Sequence, residues 1–175
     1  MSKLTKHLKL VCNHKREVFK AMAMCGHPVR GLFHDMSKFS PTEFVESVKY
    51  FQGDRSPIEA AKEAQGYSMA WFHHRGRNPH HSQYWCDISF GEVTPCEMPW
   101  KYLLELVCDT IGAGKAYMGD KWDNDAPIKY YRARDYKSFY HPKTRAKLEA
   151  IYTDIDRFGW KSVANTIKRN GDVWQ

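Results

Sequence analysis

His34 and Asp35 stand side by side in the run Gly31-Leu32-Phe33-His34-Asp35-Met36-Ser37-Lys38-Phe39. Other donors flank them at intervals: His14 before, then His73-His74, His80-His81 and Asp109. Imidazole nitrogens and carboxylate oxygens are what first-row transition metals bind. A carboxylate next to a histidine can put one oxygen on each of two ions while the imidazole holds one of them. The pattern predicts a helical site for one or two divalent ions (iron, manganese, zinc or nickel), with Asp35 at its centre. Lys38, three residues past Asp35, is placed to neutralise a phosphate. Arg75 and Arg77, beside the later histidines, could clamp one in a bidentate manner. A solvated surface charge is the plainer reading of all three.

Each donor has a local argument. His74 follows Tyr67, Ala70 and Trp71 at seven, four and three residues, which predicts a buried helical face. His73 is rotated from it by about 100° and reads as a neighbour or a substrate contact. His80 and His81 follow the Asn78-Pro79 turn, where the chain can fold back toward the same centre, and spacing does not choose between them. Asp35 lies in an apolar run and, if buried, must be paired or ligated. Asp109 lies in Leu106-Val107-Cys108-Asp109-Thr110-Ile111 and shares a helix face with Glu105, Gly112, Ala113 and Ala116. A buried carboxylate there needs a cation, either a metal or a Lys or Arg. Glu43 and Glu97 have local explanations, the first in a capping box and the second at a helix start.

The elements that must position these groups read as helices, and no segment shows convincing strand alternation. A first helix is predicted from about Leu4 to Met24, ended by Gly26-His27-Pro28. A short second helix carries Val29, Leu32, Phe33 and Met36. Ser40-Pro41-Thr42-Glu43 starts a third, and Ser56-Pro57-Ile58-Glu59 a fourth that runs toward His74. The stretch from Gly76 to about Thr94 reads as irregular. A fifth helix follows from Cys96 or Pro99 to Tyr117. Residues 119–140 read as a long loop or a short helix, with further helices from His141-Pro142 to Phe158 and from Trp160 to Arg169.

The chain has 175 residues, 42% hydrophobic and 27% charged, which suits one all-α domain over residues 1–175. Its metal-site core spans about 4–118 and a C-terminal helical extension about 141–170. Five cysteines without a Cys-x-x-Cys argue against a disulfide framework and a thiolate zinc ribbon. No apolar run approaches the roughly 20 residues that cross a bilayer. The start, Met1-Ser-Lys-Leu-Thr-Lys-His, has no apolar stretch of a signal peptide. A cytoplasmic protein with no membrane partner is the expectation. The net charge of +7 favours anionic partners, among them phosphorylated metabolites, nucleotides and nucleic acid.

These residues, in this order, resemble the HD-domain superfamily of metal-dependent phosphohydrolases. His14, His34-Asp35, His74 with His80 or His81, and Asp109 fill that pattern over somewhat more than half the chain. His-Asp-x-Ser-Lys-Phe-Ser-Pro-x-Glu-Phe and Ala-Trp-x-His-His-x-x-x-Asn-Pro-His-His look more closely like a little-characterised HD-related family of bacteria and phages. The resemblance implies an all-helical HD-like bundle with a metal site between helices. His14, His34, Asp35 and Asp109 would hold one metal, and Asp35 would bridge to a second held by His74 and His80 or His81. It also implies hydrolysis of a phosphomonoester or phosphodiester, such as a nucleotide, with Asp35 and Lys38 as catalytic residues. His73, Arg75 and Arg77 would join Lys38 in substrate binding. The Gly-Tyr-Pro segment of the cyclic-dinucleotide enzymes is absent, so that substrate is not supported.

Two other readings compete. Helical His/Asp sites also serve di-iron oxygenases. The segment Lys129-Tyr130-Tyr131-Arg132-Ala133-Arg134-Asp135-Tyr136-Lys137, with the positive charge, would suit nucleic acid through phosphate contacts and base stacking.

Overall fold

The computed structural model describes residues 1–133 and 137–174. Among them the chain forms helices α1 (Lys3–Met24), α2 (Pro28–Phe33), α3 (Pro41–Tyr50), α4 (Pro57–Gln65) and α5 (Met69–Arg75). A hairpin of β1 (Cys86–Ser89) and β2 (Glu92–Pro95) follows. Then come α6 (Trp100–Met118), α7 (Ala126–Ala133), α8 (Pro142–Phe158) and α9 (Trp160–Asn170). The fold is predominantly helical and makes one domain. No helix among the described residues is long and apolar enough to cross a membrane.

The core is built where apolar stripes of four helices meet. Val18 and Met22 of α1, Leu103, Leu104, Val107 and Ile111 of α6, Ile151 and Ile155 of α8, and Val163 and Ile167 of α9 are all buried in one cluster. Each such side chain contributes about 1.5–3 kcal/mol by leaving water. The C-terminal helices therefore share the core of α1 and α6. Helices α3, α4 and α5 lie outside this cluster. They pack against one another over the early part of α1 and bury Phe51, Ala60, Ala61 and Ala70.

Helices α1 and α6 run in backbone contact because Gly112 has no side chain. A Cβ there would lie 2.4 Å from Val18 Cγ2 and 2.8 Å from the Val18 backbone nitrogen. This crossing sits one turn from both His14 and Asp109, so it sets the gap across which those two groups face each other.

The structure departs from the sequence reading in three places. Residues 86–95 form an antiparallel hairpin, not irregular chain; Phe90 and Gly91 take positive φ (54° and 80°) in its two-residue turn. Its strands are four residues long and mostly exposed, so they carry no alternation to detect. The predicted fourth helix is two, separated by a left-handed Gly66 and restarted by Ser68, whose hydroxyl accepts from Trp71 N. Helix α2 ends at Phe33, so His34, Asp35 and Met36 lie beyond it. Of the two readings of the stretch after Gly119, a long loop or a short helix, a short helix forms within it, as α7.

Candidate metal centre

Asp35 reaches the interior through its backbone. It adopts a left-handed conformation (φ 52°, ψ 32°) directly after α2, which is uncommon outside glycine, asparagine and aspartate. Lys15, next to His14 on α1, holds this turn in place. Its ammonium donates to the carbonyls of Leu32 (3.0 Å) and His34 (2.8 Å). One helix thus carries both a candidate ligand and the clamp that positions two more.

The carboxylate of Asp35 is almost wholly buried, and its two oxygens face different groups of histidines. Oδ2 lies 3.2 Å from His34 Nε2 and 3.7 Å from His14 Nε2. Oδ1 lies 3.4 Å from His74 Nε2 and 3.5 Å from His80 Nε2. Asp109 closes the first group, with Oδ1 3.1 Å from His14 Nε2 and 3.2 Å from His34 Nε2. Two sets result, His14-His34-Asp35-Asp109 and Asp35-His74-His80-His81, each with its donor atoms within 4.8 Å of one another. Donors about 2.1 Å from a shared ion lie at most about 4.2 Å apart. In a four-donor tetrahedral site they lie about 3.4 Å apart, so the donors of either set must draw together by up to about 1.4 Å to hold an ion. His80 and His81 both join the second set, where the sequence had left a choice.

A test of fit comes from atoms without partners. Asp35 Oδ1, the Nε2 atoms of His14, His80 and His81, and Nδ1 of His80 are buried and make no well-aligned hydrogen bond among the described residues, and Asp35 Oδ2 has only its ion pair with Lys38. Each such atom costs about 1–3 kcal/mol when left unmet. Their concentration around one carboxylate fits a cation-binding centre better than a structural polar cluster. Lys38 supplies one positive charge, with Nζ 2.6 Å from Asp35 Oδ2.

Two glutamates turn the histidines inward. Glu105 Oε1 accepts from His34 Nδ1 at 3.0 Å and lies 3.5 Å from His80 Nδ1, while Oε2 accepts from Arg30 at 2.8 Å. His34, His80 and Glu105 also form a potential metal-binding group. The Arg30 guanidinium already neutralises Glu105, however, and His34 Nδ1 is occupied in its hydrogen bond to Oε1, with His80 Nδ1 only approaching that oxygen. Glu105 is better read as the carboxylate that fixes the rings with Nε2 facing Asp35. Glu43 does the same for His74, accepting from its Nδ1 at 2.8 Å, and accepts from His73 Nδ1 at 2.6 Å. The capping reading of Glu43 covers only its backbone, whose N–H donates to Ser40 Oγ.

Charge pairing dominates the electrostatics. Burial disfavours the charged forms, but the charges of His34, Lys38, His74 and His80 hold the Asp35 carboxyl well below its ordinary range. Asp109 is held down in the same way by His14 and His34, against its burial. Burial opposes the charged form of His34, yet Asp35, Asp109 and Glu105 raise it well above the ordinary value. His81 goes the other way, lowered by burial and by His80 and His74.

The sets border a cavity of about 530 Å³, lined by His14, Lys38, His74, His81 and Asp109 on one side. Its other walls include Trp71, Tyr117, Trp122, Tyr130, Tyr131, Tyr140 and Tyr152. His73, Arg75 and Arg77 do not line it. His73 is turned to Glu43, Arg75 stacks on Phe72 at 4.7 Å, and Arg77 reaches the His73 carbonyl at 3.5 Å. Neighbouring positions on a short helix point about 100° apart, so adjacency to His74 did not carry these side chains to the cavity. In the basic segment, Lys129 pairs with Asp125 and Arg132 lies 3.7 Å from Glu149. Arg134, Asp135 and Tyr136 lie outside the described residues.

The sequence reading passed over Glu105 as a partner, although its position four residues before Asp109 on one helix face was a usable signal. It also passed over His7, seven residues before His14 and a further lining residue of the cavity. Lys15 gave no signal, because its contacts are to backbone carbonyls.

Residues 3–154 match a family of unknown function, DUF5662. The chain belongs to this family. No curated protein and no solved structure matches it. The DUF5662 match runs from α1 into α8 and contains every donor of both sets.

Proposed function

We propose that this DUF5662 protein is a metal-dependent phosphohydrolase with an HD-like binuclear site, acting on a phosphomonoester or phosphodiester such as a nucleotide. The observation that carries the reading is the division of the two Asp35 oxygens between two buried donor sets. When bound, two divalent ions supply an acidified water and polarise a phosphoryl oxygen.

The chain's own groups do the rest. Asp35 and Asp109 bring negative charge to the centre, and Glu43 and Glu105 lock the imidazoles in their tautomers. Lys38 borders the cavity with its side chain 28% exposed, so its ammonium can meet a phosphoryl oxygen without leaving Asp35. Because Arg75 and Arg77 lie off the cavity, Lys38 is the cation of this proposal, as a point charge and not a bidentate clamp. The aromatic walls exclude water and give the organic part of a substrate a surface to pack on.

Protein purified without a histidine tag is expected to carry about two equivalents of transition metal per chain. It is also expected to release inorganic phosphate from a panel of nucleoside monophosphates and sugar phosphates. A metal-free protein that does not take up added manganese, zinc or iron would sink the reading. Dioxygen consumption without phosphate release would move it to a di-iron oxygenase.

A further inference from the structure

Helix α1 presents a second histidine to the cavity. His7 lies two turns before His14 and so shares its face. It is 5% exposed, set between Phe44 (ring centroids 5.4 Å apart) and Phe51 (5.3 Å, edge-on). Its Nδ1 is buried and has no hydrogen-bond partner among the described residues, yet the residue lines the cavity that holds Lys38, His74 and Asp109. None of the metal-binding groups includes it. Burial, with the charge of Lys38, lowers its pKa and favours the neutral ring.

A neutral imidazole offers one donor and one acceptor and no charge. It has no companion donors with which to hold a metal, and it lacks the charge by which Lys38 would meet a phosphoryl group. It complements a neutral polar group. A phenyl ring would fill the same aromatic slot without leaving a buried nitrogen unmet, so the imidazole is costly to folding unless a ligand meets it.

We propose that His7 is a substrate-reading residue, hydrogen-bonding a neutral hydroxyl, carbonyl or ring nitrogen on the organic part of the substrate. This rests on the phosphohydrolase reading and narrows it. The substrates are phosphate esters whose alcohol portion is large enough to cross the cavity and carries an uncharged polar group. A bare alkyl or aryl phosphate lacks the feature that His7 recognises.

Two measurements test the proposal. The first needs no ligand: His7→Phe is expected to raise the melting temperature of the metal-free protein by about 2–4 °C. A fall would make His7 a structural residue and overturn the proposal. The second is calorimetric titration of the manganese-loaded protein with inorganic phosphate, benzylphosphonate and the three ring-hydroxylated benzylphosphonates. Wild type should bind at least one hydroxylated isomer about tenfold more tightly than benzylphosphonate, the size of one well-made hydrogen bond. His7→Phe should abolish that preference and leave phosphate affinity unchanged, while His7→Gln, which keeps a donor and an acceptor, should retain part of it. A preference that survives His7→Phe, or none in wild type, overturns the proposal. If phosphate binds without any such preference, only this proposal falls. If phosphate itself does not bind, the phosphohydrolase reading falls and takes this one with it.

Discussion

Replacing Asp35 by Asn is expected to empty both metal sets at once, taking metal content from about two equivalents per chain to none and phosphate release down by about a thousandfold or more. The amide is nearly the same size, so packing is not what changes. It is neutral, and it presents an NH₂ group toward one of the two histidine clusters that Oδ1 and Oδ2 now face separately. It also leaves Lys38 without its 2.6 Å partner, so the centre gains net positive charge as it loses a ligand to each ion. Asp109→Asn is the informative comparison. Asp109 belongs to the first set alone, so that variant should lose about one equivalent and keep the other. Elemental analysis of the two proteins side by side decides the matter. Equal metal content in Asp35→Asn and wild type would end the bridging reading.

Gly112→Ala should be the most damaging small substitution outside the ligands. Alanine is the better helix former by about 1 kcal/mol, so helix propensity alone predicts a gain. Packing predicts the reverse. The new methyl would meet the Val18 backbone nitrogen at 2.8 Å, and a backbone atom cannot rotate away. Helices α1 and α6 must separate, at a cost of about 1–3 kcal/mol net, readable as a lower midpoint in urea. Because the crossing lies a turn from His14 and Asp109, the same displacement should weaken metal binding by about tenfold or more, within the range seen when outer supports of a metal site are removed. Wild-type stability in this variant would mean that the two helices have slack at their crossing, contrary to the contact described.

The helices were legible because their start and stop signals are local. Ser40-Pro41, Ser56-Pro57 and His141-Pro142 each open a helix where expected. The donors were legible from residue type and from the face that spacing assigned to His74. Other parts depended on tertiary geometry. Asp35 is buried, but not through an apolar run: Leu32, Phe33 and Met36 around it are 56%, 67% and 51% exposed, and the left-handed turn alone sends the aspartate inward. Glu43 was hidden because a capping box accounted for it fully at the level of sequence. Its actual partners, His73 and His74, are 30 and 31 residues away. Arg75 and Arg77 show the opposite case: close in sequence to a candidate ligand, they lie off the cavity that Lys38 lines, and Arg77 borders a separate cleft with Asp35 and Glu105.

The absence of α3, α4 and α5 from the main core bears on how long each ion stays. Donors of the first set are mounted on α1 and α6, whose stripes form the centre of the hydrophobic cluster, and on the turn that Lys15 ties to α1. The second set depends for His74 on α5, which belongs to the separate layer, and for His80 and His81 on the 78–81 turn outside any helix. Elements with fewer deeply buried contacts open at lower free energy than core helices. Residence should therefore be unequal, with one slow ion that departs only when the core opens and one that exchanges on local fluctuation. Dialysis against a chelator is expected to remove the metal in two phases, the faster one accompanied by a change in the environment of Trp71, which packs edge-on to His81 at 4.9 Å. The shared carboxylate would then mark the boundary between a permanent fixture of the protein and a passenger.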